Sequence, residues 1–201
     1  MHTRRRYFFE INHPGQVHLL RNLYFDLISK GHFVIIGCKE EKIITDLLAH
    51  YKIPFYKLGK KGNGKWGKLF KQIVFDVRAL LLILWHKCKI GVGSSMTNDH
   101  VSAILPWFKS IHLSDDDETA VTLIAKFSYP FAHKILAPQC IKIPSFEKKL
   151  VRYSSYHEMA YLHPARFQPD PSVLQRAGLK EGETYFVLRF VALKGHHDDG
   201  H

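Results

Sequence analysis

Residues Tyr7–His18 read YFFEINHPGQVH. An apolar strand breaks into a polar loop holding two histidines, and Leu20, Leu23, Leu27 and Ile28 follow at helical spacing. Strand, loop and helix in that order open a βαβ unit. In open parallel sheets the loop leaving the carboxyl end of a strand is where ligands bind. The polar side chains gather in that loop and not on the helix, which marks it as a candidate site.

The alternation continues outward from this unit. Gly31 ends the first helix, because glycine takes the left-handed cap conformation without penalty. A buried strand is predicted at 33–38, a helical stripe from Ile43 to Tyr51, and a third strand at 55–58. A glycine- and lysine-rich loop leads to a long helix at 68–86, then a strand at 90–93 and a helix at 99–105. A strand at 111–113 runs into four acids, followed by a helix reaching about 129 and a strand at 134–137. Strands separated by helices imply a Rossmann-like parallel α/β sheet with helices on both faces. Residues 1–150 form this domain. Residues 151–172, rich in proline and aromatics without a regular period, read as a crossing segment. A short helix at 172–177 and a strand at 185–191 then open a second domain over 173–201.

Composition narrows the class. Three scattered cysteines fit a reducing, cytoplasmic setting, and Glu10 and Asn12 cut short the apolar run that a secretory signal needs. The net charge of +11 is concentrated: Lys57–Lys89 holds nine basic residues and one acid, Asp76. Trp66, Leu69, Phe70, Ile73, Val74, Val77, Leu80, Leu81 and Leu84 give that segment a wide apolar face. This face is expected to pack mainly on the sheet, while the lysines and Trp66 offer residues 60–89 a peripheral contact with an anionic membrane at its inner side. No nucleic-acid-binding motif accompanies the charge, so no nucleic-acid partner is expected.

Several side chains could carry chemistry. His13 and His18 flank Pro14–Gly15 at the head of the first helix, where an imidazole can act as a general base and free N–H groups favour an anion. The alternative is that one histidine caps the helix and the other packs. Asn12 and Gln16 can hydrogen-bond a polar ligand, and Ser94 and Ser95 after the fourth strand can bind hydroxyl or phosphate oxygens beside glycines that let a ligand approach. Paired carboxylates in Asp115–Glu118, above all Asp116 and Glu118, suit acid–base work on sugars. An acidic helix start explains Asp117 and Glu118 equally well. His157 and Glu158 in the crossing segment are candidate ligand contacts. His196, His197, Asp198, Asp199 and His201 have the composition of a metal cluster but read better as a loop, and no metal is expected.

The strings FFEINHPGQVHLLRNL, LSDDDETA, YHEMAYLHPARFQPDPSVL and LRFVALKGHHDDG, in that order, resemble the family of predicted glycosyltransferases called domain of unknown function 354. The resemblance spans essentially the whole chain. It implies the N-terminal, acceptor-side half of a GT-B fold, related to UDP-N-acetylglucosamine 2-epimerase, followed by the truncated start of a nucleotide-sugar-binding domain. The implied function is transfer from a nucleotide-sugar to a glycan or lipid-linked acceptor in envelope polysaccharide or glycolipid synthesis. The nucleotide-sugar enters as substrate and no cofactor is implied. By resemblance Glu118 is the acid favoured for catalysis. Two positions depart from the family's pattern: Thr119 stands where a histidine is usual, and Ala192–Leu193 where Ser-Trp is usual. The alternatives are a nucleotide-sugar 2-epimerase and a non-catalytic module for a membrane surface or partner.

Overall fold

Phe8 and Phe9 are neighbours on one strand, yet they enter different cores. In the computed structural model, which describes residues 3–60, 62, 64–180 and 182–188, this strand is β1 (Arg6–Ile11). Phe9 packs with Val17, Leu20 and Tyr24 of α1 (Pro14–Ser29) and with Ile44 and Leu48 of α2 (Lys42–His50). Phe8 packs on the other face with Phe75, Ala79 and Ile83 of α3 (Gly64–His86) and Val101 of α4 (Met96–Ile104). The two-residue period of a strand and helices on both sides explain why β1 is apolar at consecutive positions.

Seven parallel strands form the sheet. With β2 (Phe33–Lys39), β3 (Tyr56–Gly59), β4 (Ile90–Gly93), β5 (Lys109–Leu113), β6 (Lys134–Pro138) and β7 (Leu150–Tyr153), the order is β3-β2-β1-β4-β5-β6-β7. The chain grows outward from β1 in one direction and then restarts at β4, pairing Phe8 with Gly91 and Phe9 with Val92. This is the Rossmann-like α/β class expected. The β1/β4 boundary is the switch point, where loops leaving adjacent strands diverge and open a crevice.

The structure corrects several expectations. Residues Leu150–Tyr153 pair with Ile135–Pro138 as a seventh strand, so a boundary at 150 would cut the sheet. A 3-10 turn at Pro144–Lys149 replaces a crossover helix before it. The compact unit runs to Leu162 and includes α6 (Met159–Leu162). The helix after the acidic run, α5 (Thr122–Phe127), stops short of Tyr129, whose side chain is instead fully buried. Helix α4 starts at Met96, three residues early, because Ser95 occupies its N-cap position.

Helix α3 is turned the other way from the expected packing. Phe75, Ala79 and Ile83 face the sheet, and Trp66, Leu69, Phe70, Ile73, Val77, Leu81 and Leu84 are exposed. This helix is apolar around most of its circumference, so periodicity does not choose the inner face. Small Ala79, fully buried, permits close approach to the sheet.

The second unit, His163–His201, contains α7 (Ser172–Arg176), held by Ser172 N–H to Asp170 Oδ1 at 3.0 Å and ended by Gly178 at φ +78°. Tyr185–Leu188, predicted to be strand, is exposed and pairs with no strand among the described residues. A strand is defined by its neighbour, and no strand occurs among the described residues of this unit. Residues 189–191, the departure at Ala192–Leu193 and the His196–His201 cluster lie outside the described residues.

Candidate functional site

Glu10 organises the switch point, although nothing in the local pattern of β1 singles it out. It sits in the apolar run of β1 with 1% exposure, on the same face as Phe8, pointing toward the start of α4. Ser95 Oγ donates to its Oε1, Asn12 Nδ2 donates to the same oxygen at 2.8 Å, and Asn98 N–H donates to Oε2 at 3.2 Å. Asn12 Nδ2 also reaches Ser95 Oγ at 2.5 Å. Ser95 therefore makes no cap bond of its own, and Glu10 caps α4 from the neighbouring strand. Burial raises the Glu10 carboxyl above its ordinary range, while the Ser95 and Asn98 bonds oppose the rise.

This hub explains the glycines of β4 without a ligand. A Cβ on Gly93 would lie 2.9 Å from Glu10 Cβ and 3.1 Å from Asn98 Nδ2, and one on Gly91 would strike Phe108 at 2.4 Å. The expected role of these glycines in admitting a ligand gives way to protein packing. Asn12 Oδ1 and both amide atoms of Asn98 are buried without a partner among the described residues. Ser94 is half-buried, and its hydroxyl has no partner among the described residues.

Both histidines of the opening loop have structural work. His13 is the N-cap of α1: its Nδ1 accepts Gly15 N–H at 3.2 Å. A ring nitrogen that accepts an amide proton is unprotonated, so the neutral ring carries its proton on Nε2 and presents a donor, not a base. Gln16 Oε1 completes a capping box by accepting Asn12 N–H at 2.7 Å and His13 N–H at 3.2 Å. These bonds use donors that would otherwise greet an anion. His18 lies between Tyr51 and Tyr161, with ring centroids 5.9 and 5.7 Å away, and burial lowers its pKa.

The four acids after β5 are sorted by their partners. Asp117 Oδ1 accepts Lys142 N–H at 2.7 Å and Glu118 Oε2 accepts Ser145 N–H at 3.0 Å, which anchors the loop after β6. Bonding outward relieves the mutual repulsion of the run. Asp115 is lowered by its hydrogen bond to His157, whose Nδ1 lies 3.4 Å from Asp115 Oδ2. Asp116 is half-buried, and its carboxylate has no partner among the described residues.

His157 belongs to a segment that leaves β7 at the edge of the sheet and reaches α1 near its middle. Asn22 Nδ2 of α1 donates to Ala160 O at 2.7 Å, and Tyr161 packs on His18. To connect these points the chain must pass over the carboxyl ends of the intervening strands. The expected crossing segment thus covers the same edge of the sheet as the switch point. His157 Nε2 and Tyr153 Oη are buried in it without partners among the described residues, and the two rings lie parallel at 6.3 Å. Glu158 is exposed, and its carbonyl begins the turn of α6.

Solved structures share this fold. MurG of Acinetobacter baumannii matches with a TM-score of 0.56 at 12% identity, over 73% of this chain and 45% of that one. UDP-GlcNAc 2-epimerase of Neisseria meningitidis, bound to UDP-GlcNAc, matches at 0.59 and 12% identity, over 78% and 48%. A glycosyltransferase of Rickettsia africae matches at 0.53 and 10% identity, over 90% and 51%. The chain has the Rossmann-like fold of one half of GT-B enzymes. It spans about half the length of the solved structures it matches. No family model matches the sequence, and comparison with curated proteins gives no significant match.

A second polar cluster also escaped the sequence reading. Asp99 Oδ2 accepts from His112 Nδ1 at 2.7 Å and from Ser128 Oγ, with all three residues buried. It ties α4, β5 and the end of α5 together beneath the acidic loop. Only a spacing of 13 and 29 residues links these groups in sequence, which no local pattern reveals.

Proposed function

We propose that this chain supplies the acceptor-side half of a glycosyltransferase that uses a nucleotide-sugar donor, acting on a glycan or lipid-linked acceptor in envelope glycan synthesis. The observation that carries the reading is the convergence of Asn12, Ser94 and Ser95 at the β1/β4 switch point of a sheet shared with GT-B enzymes. Amide and hydroxyl groups held at strand ends suit recognition of sugar hydroxyls. The His13 Nε2–H adds a donor at the mouth of the same loop.

The deprotonation of an acceptor hydroxyl is assigned to Asp116, half-buried beyond the carboxyl end of β5. His157 Nδ1 faces Asp115 while its Nε2 is buried, so this pair holds the crossing segment over the strand ends. Asp116 is the carboxylate left to hold or return a proton, since Asp117 and Glu118 anchor backbone. The donor's phosphates are assigned to a second Rossmann-like domain.

Saturation-transfer NMR of the intact chain with UDP-N-acetylglucosamine and a panel of oligosaccharides tests this reading. Saturation of sugar protons that is lost in Asn12→Ala and Ser95→Ala supports it. Absence of saturation from every sugar would sink it. Release of an epimerised sugar without acceptor would convert the reading to a 2-epimerase.

A further inference from the structure

Trp66, Phe70, Ile73, Val77, Leu81 and Trp85 recur every three or four residues along α3 and are all exposed, the two tryptophans at 85% and 82%. That spacing keeps them on one side of the helix, in a stripe about 28 Å long. Isolated surface hydrophobes are ordinary, but a continuous stripe along one helix marks an interaction surface.

The charges around it select the partner. Lys68 and Arg78 are exposed, Lys71 is half-buried, and Lys60, Lys87 and Lys89 are exposed near the two ends of the helix. Asp76, the one acid between Lys57 and Lys89, is turned inward: Oδ1 accepts Gln72 Nε2–H at 2.7 Å, and Oδ2 pairs with His100 Nδ1 at 2.7 Å. The outward field is therefore uniformly positive. A second copy docking through the same stripe would set this positive rim against itself. A nucleic-acid backbone would satisfy the lysines and leave the apolar stripe in water. An anionic bilayer surface meets both features, with phosphates for the cations and acyl chains for the tryptophans and aliphatic residues. No helix among the described residues is long and apolar enough to cross a membrane, so contact is along the surface.

We propose that α3 lies in the plane of an anionic membrane interface, with Trp66 to Trp85 inserted and the lysines at the headgroups. The inference stands on α3 and does not depend on the reaction assigned to the sheet edge.

Flotation of the intact chain with phosphatidylcholine vesicles, with and without phosphatidylglycerol, tests it. The wild type should float with the anionic vesicles only, and high salt should release it. Lys68→Glu/Lys71→Glu and Phe70→Ser/Ile73→Ser/Leu81→Ser should each weaken binding about tenfold or more. The serine variant changes only exposed positions, and its circular dichroism checks the fold. Quenching of wild-type tryptophan fluorescence by brominated anionic lipid gives a readout that needs no variant. Failure to float, flotation unchanged in both variants, or no quenching would overturn the proposal. So would a dimer that the serine variant dissolves while the wild type ignores vesicles.

Discussion

His157 Nδ1 lies 3.4 Å from Asp115 Oδ2, which pins the segment after the last strand to the carboxyl end of β5. The hydrogen bond lowers the Asp115 carboxyl below 3.8, its unfolded reference. The stability it contributes is therefore present above that value and lost as pH falls through the lower folded one. Hydrogen exchange should show the amides of Ala160–Leu162 loosening in acid and at neutral pH in His157→Ala. Because Asp115 is mostly exposed, the pair should couple by no more than about 1 kcal/mol in a double-mutant cycle. Equal protection in wild type and variant at every pH would show that the pair does not hold the segment.

Replacing Glu10 should cost more than any other change at the site. Glu10→Ala takes the acceptor from Ser95 Oγ and Asn98 N–H and one of the two bonds of Asn12 Nδ2, for a loss of about 2–4 kcal/mol in urea unfolding. Glu10→Gln should cost less and remove a titration. Burial raises the folded carboxyl above 4.5, so the folded chain holds a proton that the unfolded chain releases. The associated stability is present below 4.5 and fades as pH rises through the folded value. The wild type's advantage over Glu10→Gln should accordingly shrink from pH 4.5 upward.

His13 can be tested by separating cap from contact. His13→Ala should lose about 1 kcal/mol, because Gly15 N–H loses its acceptor. Asparagine is a strong N-cap residue and should restore that stability. If the Nε2–H also binds ligand, His13→Asn will fold like wild type and still lose sugar saturation in NMR. Full recovery of both would confine His13 to capping.

A pH response is built into the contact between α3 and α4. The Asp76 hydrogen bond raises His100 above 6.5, with burial opposing and the Phe127 carbonyl assisting. Stability from this pair is present below 6.5 and is lost as pH rises through the higher folded value. Urea unfolding should show a decline of roughly 0.5–1 kcal/mol between mildly acidic and mildly alkaline buffer. His100→Gln should be flat over the same range.

Gly93→Ala should destabilise by about 1–3 kcal/mol, since its Cβ would meet Glu10 Cβ at 2.9 Å and Glu10 O at 3.2 Å. A calorimetric midpoint equal to wild type would mean that β4 can shift away from β1.

What could be read from the sequence followed physical range. Strands β1 to β6 and helices α1 to α4 announce themselves by periods of two and 3.6, which are local properties. Gly31, at φ +78°, ends α1 as its chemistry requires. Strand β7 was hidden because four residues of mixed burial carry no period, and only pairing with β6 makes them a strand. The loops after β1 and β4 were legible as a candidate site because topology places strand ends there. The duties within them were not: His13, Gln16, Asp117 and Glu118 are used on backbone amides.

The amino-acid order alone settled a parallel Rossmann-like sheet, a polar loop at Asn12–His18 and a basic segment at Lys57–Lys89, because each depends on neighbours within a few turns. Tertiary structure decided that Glu10, 85 residues from Ser95, is the buried centre of the switch point. It also decided that α3 turns Phe75 and Ala79 inward and its tryptophans outward. A hydrogen-bond partner or a packing face is chosen by what else arrives in the same volume, and the chain sets that only when it closes on itself.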